Sequence, residues 1–160
     1  TFIYAFIYGA GDEKIGSIIK GSRDGGKRLR ERFLVSLPAL RTLKERVDRA
    51  SEKKFLKGLD GRKILIRHKH AALNSLLQGG GAIVMKKALT ILNLDLQLNG
   101  IDAKIVANIH DEWQIEVKEA QADYVGRAGV QAIIDAGVYY NMRCPLDGEY
   151  KIGESWYETH

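Results

Sequence analysis

A chain of 160 residues, 45% hydrophobic and 28% charged, has room for one ordinary domain or two small ones and the composition of a globular protein. No apolar run approaches the roughly 20 residues that cross a bilayer, so neither a spanning helix nor a membrane partner is expected. The formal charge of +5 divides unevenly: residues 1–70 hold 18 Lys+Arg against 8 Asp+Glu, a net +10, and residues 71–160 hold 7 against 12, a net −5. A polyanion-facing surface beside a cation-binding one has this pattern, and so does an ordinary solvated helical surface.

Phe2, Ile3, Tyr4, Phe6, Ile7 and Tyr8 recur at helical spacing until Gly9 and Gly11 stop the pattern. This helix starts uncapped with an apolar first turn and reads as the second half of a longer one; it lacks the basic flank of a signal peptide. Asp12 is placed to cap a short helix running to about Lys20, with Gly21, Gly25 and Gly26 as the loop near it. Pro38 suits the first turn of the next helix, whose buried stripe is Leu40, Leu43, Val47 and Ala50. Leu59-Asp60-Gly61-Arg62 reads as a turn before a strand over Lys63–Arg67.

A long helix is predicted from about Ala71 to Asn99, closed by Gly100. Lys104–Ile109 and Trp113–Val117 alternate by twos around a tight connection and predict a β-hairpin. A helix over 119–137 follows, with Tyr124, Val125, Ala128, Ala132, Ile133 and Ala136 on its apolar side. The tail carries turn signals, aromatics and an expected short strand around Glu149–Ile152. The single Cys144 can form no internal disulfide; a lone cysteine is usually a small buried hydrophobe, and its solitude fits a reducing, cytoplasmic setting. Helices beside an antiparallel hairpin make the fold class α+β.

Three groups of residues can carry chemistry. Asp111 and Glu112, in IHDEW, lie at the tip of the predicted hairpin, where a turn lets both carboxylates approach one site. Two acids so close repel unless a cation is near, and hard oxygen donors suit Mg²⁺, although Asp-Glu in a hairpin loop is most often plain turn chemistry. His70, Asn74 and Gln78 are spaced four apart on one predicted helix, which puts all three side chains in one row. Amide side chains suit the DNA minor groove, where every base pair offers similar acceptors, and Gly79, Gly80 and Gly81 make more sense if another body approaches the backbone; a solvated stripe with a glycine kink is the simpler account. Tyr4 and Tyr8 sit one helical turn apart and suit stacking on a base or sugar, or a place in a core.

Read in order, TFIYAFIYGAGDEKIG, GLDGRKILIRHKHAALNSLLQGGGAIVMK, IHDEWQIEV and a closing GESWYETH resemble family A (DNA polymerase I-like) DNA polymerases over nearly the whole chain, the T-odd-type bacteriophage branch most closely. The resemblance implies template-directed transfer of nucleotides from dNTPs to a primer–template, with two Mg²⁺ ions. Residues 1–58 would belong to the fingers and 59–160 to the palm. Tyr4 and Tyr8 resemble the nucleotide-binding aromatics of motif B: Tyr8 stacks near the templating base, and a Tyr at position 4 implies weak discrimination against dideoxynucleotides. His70, Asn74 and Gln78 resemble the palm's DNA-binding row along the minor groove, His70 standing where many relatives carry Arg. His110-Asp111-Glu112 resembles motif C, with Asp111 the catalytic metal ligand, Glu112 a supporting catalytic carboxylate and His110 a DNA contact near the primer terminus.

Other parts of the pattern are not found. The motif B Lys and Arg would precede Thr1, and motif A, whose Asp completes the two-metal site, has no counterpart; Asp95 lies in a predicted helix without that context. The expectation is a piece of a polymerase, whether a split gene product, the part downstream of an intein or an artificial end. It would be inactive alone and need an upstream fragment carrying motif A, the thumb and the rest of motif B. Two other readings stand beside it: a non-catalytic DNA-binding module with a vestigial Asp111, and part of a phage-type single-subunit RNA polymerase. Glu112 and the aromatic at position 4 favour DNA synthesis. The implied compartment is the cytoplasm of a bacterial or phage-infected cell.

Overall fold

In the computed structural model, which describes residues 2–159, the chain forms two compact units that divide between Gly80 and Gly81. Residues 71–80 carry no charge, so the first unit holds the whole net +10 and the second the net −5.

The first unit comprises α1 (Phe2–Ile7), α2 (Asp12–Ile18), α3 (Arg23–Ser36), α4 (Pro38–Ser51), an antiparallel ladder of β1 (Phe55–Lys57) with β2 (Lys63–Leu65), and the first turns of α5 (Ala72–Leu98). Helix α1 stops because Gly9 turns left-handed at φ +77, while the Ala10 N–H returns to the Ala5 carbonyl at 2.9 Å and the Gly9 N–H to that of Phe6 at 3.0 Å. This is the Schellman closure that glycine alone adopts without strain. Phe6, Val47, Leu56, Ile66, Ala72 and Leu73 form the core, with the predicted stripe Leu40, Leu43, Val47 and Ala50 facing it. Phe33 meets Phe2 and Phe6 edge-on at 5.0 and 5.2 Å.

Three expectations for this unit are corrected. Gly25 and Gly26 are not loop: they open α3, capped by Ser22, whose Oγ accepts the Gly25 N–H at 3.2 Å. A Cβ on Gly26 would lie 2.0 Å from the Asp12 carbonyl oxygen, so glycine here serves close contact of α2 and α3 rather than a turn. Asp12 does not cap α2; Gly11 does, and the Asp12 carboxylate pairs with Arg30 at 3.1 Å. Strand β2 stops at Leu65, short of Arg67, because its partner β1 is only 3 residues long and periodicity does not reveal so short a strand.

The second unit contains the rest of α5, the hairpin β3 (Ala103–Ile109) and β4 (Glu112–Val117), α6 (Glu119–Tyr139) and α7 (Trp156–Thr159). Val84, Ala88, Leu92 and Leu96 make one row on α5 against Val125, Ala132 and Ala136 of α6, and the hairpin adds Trp113, Ile115 and Val117. Helix α5 closes as predicted, with Gly100 at φ +64 and the Ile101 N–H on the Leu96 carbonyl at 2.9 Å. The hairpin pairs Ala103 with Val117 through Ile105 with Ile115, bulges at Val106, then pairs Ala107 with Gln114 through Ile109 with Glu112. The expected strand at Glu149–Ile152 is absent: no ladder forms there, and the Tyr150 hydroxyl donates to Asp123 instead. Cys144 is exposed, contrary to the buried role expected of it. Among the described residues no helix is long and apolar enough to cross a membrane. Helices with an antiparallel hairpin make the fold α+β, as expected.

Candidate functional site

The hairpin loop has two residues, His110 and Asp111, between Ile109 and Glu112. Such a loop needs positive φ, and His110 takes it at φ +55, where a residue other than glycine costs about 1–2 kcal/mol. Strained backbone of this kind is often kept where chemistry uses it. His110 and Asp111 are both exposed, and Glu112 is half-buried. Asp111 and Glu112 line one open cleft of about 1610 Å³, walled by Gly126 and Gly129 of α6 and by Tyr150 and Trp156 of the tail.

The two carboxylates have different surroundings. Glu112 Oε1 accepts hydrogen bonds from Gln114 Nε2 and from Trp156 Nε1, the latter at 3.2 Å. Asp111 stands at the tip as a hard-oxygen donor open to solvent. Mg²⁺ favours six oxygens in octahedral array and dehydrates reluctantly. Among the described residues no group of three or more His, Cys, Asp or Glu side chains can hold a metal, and Asp111 and Glu112 by themselves offer two carboxylates, fewer donors than that array needs. Asp95 is no second ligand: its carboxylate takes the Tyr124 hydroxyl at 2.8 Å and the Asn99 amide at 3.2 Å. The hydrogen bond to Asp95 raises the Tyr124 phenol above its ordinary value, and Asp123 does the same to Tyr150.

The other predicted residues lie in the first unit. Tyr4 and Tyr8 are 71% and 57% exposed, which places both rings outside the core. The Gln78 amide donates to the Tyr8 hydroxyl at 3.4 Å, joining two residues that the sequence separates by 70 positions. Asn74 and Gln78 share α5, but His70 does not: it occupies a 3-10 turn over Lys69–Ala71 and stacks on His68 at 5.5 Å, so the row of three is a row of two. The Asn74 Oδ1 is buried without a hydrogen-bond partner. Of the three glycines, Gly79 has an internal reason, since an added Cβ would lie 3.0 Å from Ile64 Cδ1; at Gly80 and Gly81 nothing lies within 4 Å. Sequence reasoning missed Trp156, Gln114 and Thr159 beside Glu112, although Ser155-x-x-Glu158 is a capping-box pattern that marks a helix start.

The fold is that of a polymerase domain: it superposes with TM-score 0.75 on the POL domain of Pol1 from M. smegmatis, solved in complex with DNA primer-template and dNTP, at 20% identity over 84% of this chain and 26% of that one. The chain belongs to DNA polymerase family A, whose family model matches residues 1–158. It is 40% identical over 167 residues to the DNA-directed DNA polymerase of Escherichia phage Phieco32, covering 100% of this chain and 27% of the relative. With the DNA-directed DNA polymerase of Escherichia phage T7 it shares 36% identity over 182 residues, covering 100% and 26%. DNA polymerase I of Aquifex aeolicus is more distant, at 32% over 89% of this chain and 25% of the relative. The chain thus spans about a quarter of the length of the curated relatives it matches.

Proposed function

We propose that this chain supplies part of the fingers (1–58) and the motif C part of the palm (59–160) of a template-directed DNA polymerase acting on primer–template DNA and dNTPs. The observation that carries the reading is Asp111, an exposed carboxylate on a strained two-residue hairpin turn, within a chain matched to family A from residue 1 to 158. Asp111 is a Mg²⁺ ligand and Glu112 its supporting carboxylate. Bound Mg²⁺ would supply Lewis-acid stabilisation of the charge that develops on the transferred phosphate. His110 lies by the primer terminus; Asn74 and Gln78, with His70 beside them, follow the minor groove. Tyr4 and Tyr8 contact the incoming nucleotide and the templating base, and their exposure suits that role. Activity requires a further fragment carrying motif A, the thumb and the rest of motif B, because one exposed carboxylate cannot hold an ion that dehydrates so reluctantly. The compartment is the one that holds the DNA, the cytoplasm of a bacterial or phage-infected cell.

The test is primer extension with Mg²⁺ and dNTPs by the chain alone, by the chain mixed with a fragment carrying motif A, and by that mixture with Asp111→Ala. Extension is expected only in the first mixture, and the substitution should lower it by on the order of a hundred-fold or more. Full activity of the Asp111→Ala mixture refutes the ligand role. Extension by the chain alone refutes the need for a partner. Salt-sensitive DNA binding without extension in any mixture favours a DNA-binding module instead.

A further inference from the structure

None of residues 153–159 is given a role of its own in the function proposed above, yet several contacts hold this stretch. Lacking any ladder, the segment leading to it follows notches in α6. Tyr150 lies over Gly126, where an added Cβ would fall 2.2 Å from its ring, and its hydroxyl donates to Asp123 at 2.6 Å. Leu146 fits over Gly137 in the same way, 3.0 Å from an added Cβ. Helix α7 then closes on itself: the Glu158 carboxylate accepts the Glu154 N–H at 2.7 Å, and Gly153 leaves room for the returning side chain, since its Cβ would lie 2.7 Å from Glu158 Cβ.

This scaffold delivers two side chains to β4. Trp156 Nε1–H donates to Glu112 Oε1 at 3.2 Å, and the Thr159 hydroxyl donates to Gln114 Oε1 at 3.1 Å. The Glu112 carboxylate can only accept, so the Gln114 amide turns its nitrogen toward Glu112 and its oxygen toward Thr159, and Gln114 Nε2 donates to the same carboxylate oxygen that Trp156 holds. Trp156 is 50% exposed, so its ring is not there to fill a core. Two donors from different elements converge on one oxygen and set the rotation of a carboxylate one residue from Asp111.

We propose that Trp156, with Gln114 in contact with Thr159 behind it, is a positioning residue for Glu112, and that the C-terminal segment is a strap that sets this carboxylate for nucleotidyl transfer. The catalytic half of the inference rests on the polymerase reading; the geometric half does not, and the two are tested separately. In the ¹H–¹⁵N spectrum of the full chain, the Trp156 indole N–H resonance, assigned by its loss in Trp156→Phe, should move upfield in Glu112→Ala and stay in place in Glu116→Ala at the far end of the strand. An indole resonance indifferent to Glu112→Ala overturns the strap, whatever the activity. In the extension-competent mixture, Trp156→Phe keeps an aromatic ring and removes the donor. It should lower kcat on the order of five-fold with little change in the KM for dNTPs, and it should have no further effect in a Glu112→Ala background. Additive losses in the double variant overturn the positioning role. If the unaltered mixture does not extend primers, the polymerase reading fails and the indole resonance alone decides the strap.

Discussion

Replacing Gly9 by alanine tests how the end of α1 is joined to the His70 turn. Gly9 stands at φ +77, where an L side chain costs about 1–2 kcal/mol. The added Cβ would also lie 2.1 Å from the His70 carbonyl oxygen and 2.9 Å from its carbon, both backbone atoms. Relieving that overlap takes on the order of 1 Å of movement, since non-bonded heavy atoms rest roughly 3.5 Å apart. His70 cannot yield freely, because Ala72 and Leu73, just beyond it, are 0% and 6% exposed in the core of the first unit. Overpacking against such a core adds about 1–3 kcal/mol, so the whole loss is about 2–5 kcal/mol. Both tryptophans, Trp113 and Trp156, belong to the second unit, so their fluorescence follows that unit while far-ultraviolet circular dichroism follows helix throughout. In urea, Gly9→Ala should bring part of the dichroism transition to lower denaturant. Gly11→Ala is the control: at φ −69 with no atom within 4 Å, it should cost under about 1 kcal/mol through the weaker helix cap. If the two variants unfold alike, the close approach to His70 carries no energy and the reasoning is wrong.

Leu92 is wholly buried between α5 and α6, so Leu92→Ala should destabilise the second unit by about 2–5 kcal/mol, read from the tryptophan fluorescence transition; a loss below about 1 kcal/mol would mean the core there is loosely packed. Tyr124 and Tyr150 keep their protons more tightly in the folded chain than the ordinary value of 10.0, because each phenol donates to a carboxylate. Their contribution is therefore complete below that pH and declines as pH rises through the folded values, so Tyr124→Phe with Tyr150→Phe should flatten the alkaline fall in Tm, and an unchanged pH profile would refute the linkage.

Periodicity and end signals are local properties of a chain, and what they encode is what could be read directly. The stripe of α4, the span of α5 to its closing Gly100, the apolar side of α6 and the hairpin around His110-Asp111 all follow from the spacing of apolar residues and from turn chemistry. The order of the motifs was likewise enough to indicate the family. Contacts between distant segments were not encoded in this way. Gly25-Gly26 has a loop's composition and lies in a helix, because its lack of side chains is used by the Asp12 backbone across the interface. The row His70, Asn74 and Gln78 breaks at its first member, because α5 begins only at Ala72, after a 3-10 turn. Glu149–Ile152 forms no strand, and its Tyr150 ring settles on Gly126 of α6 instead. Glu112 acquires the Trp156 donor only when the chain is brought back across 44 residues to reach it. The sequence by itself determined the elements, the class and the acidic hairpin tip; only the tertiary structure decided which glycines were contacts and which side chains hold Glu112, since a hydrogen bond depends on distance in space and no periodicity records it.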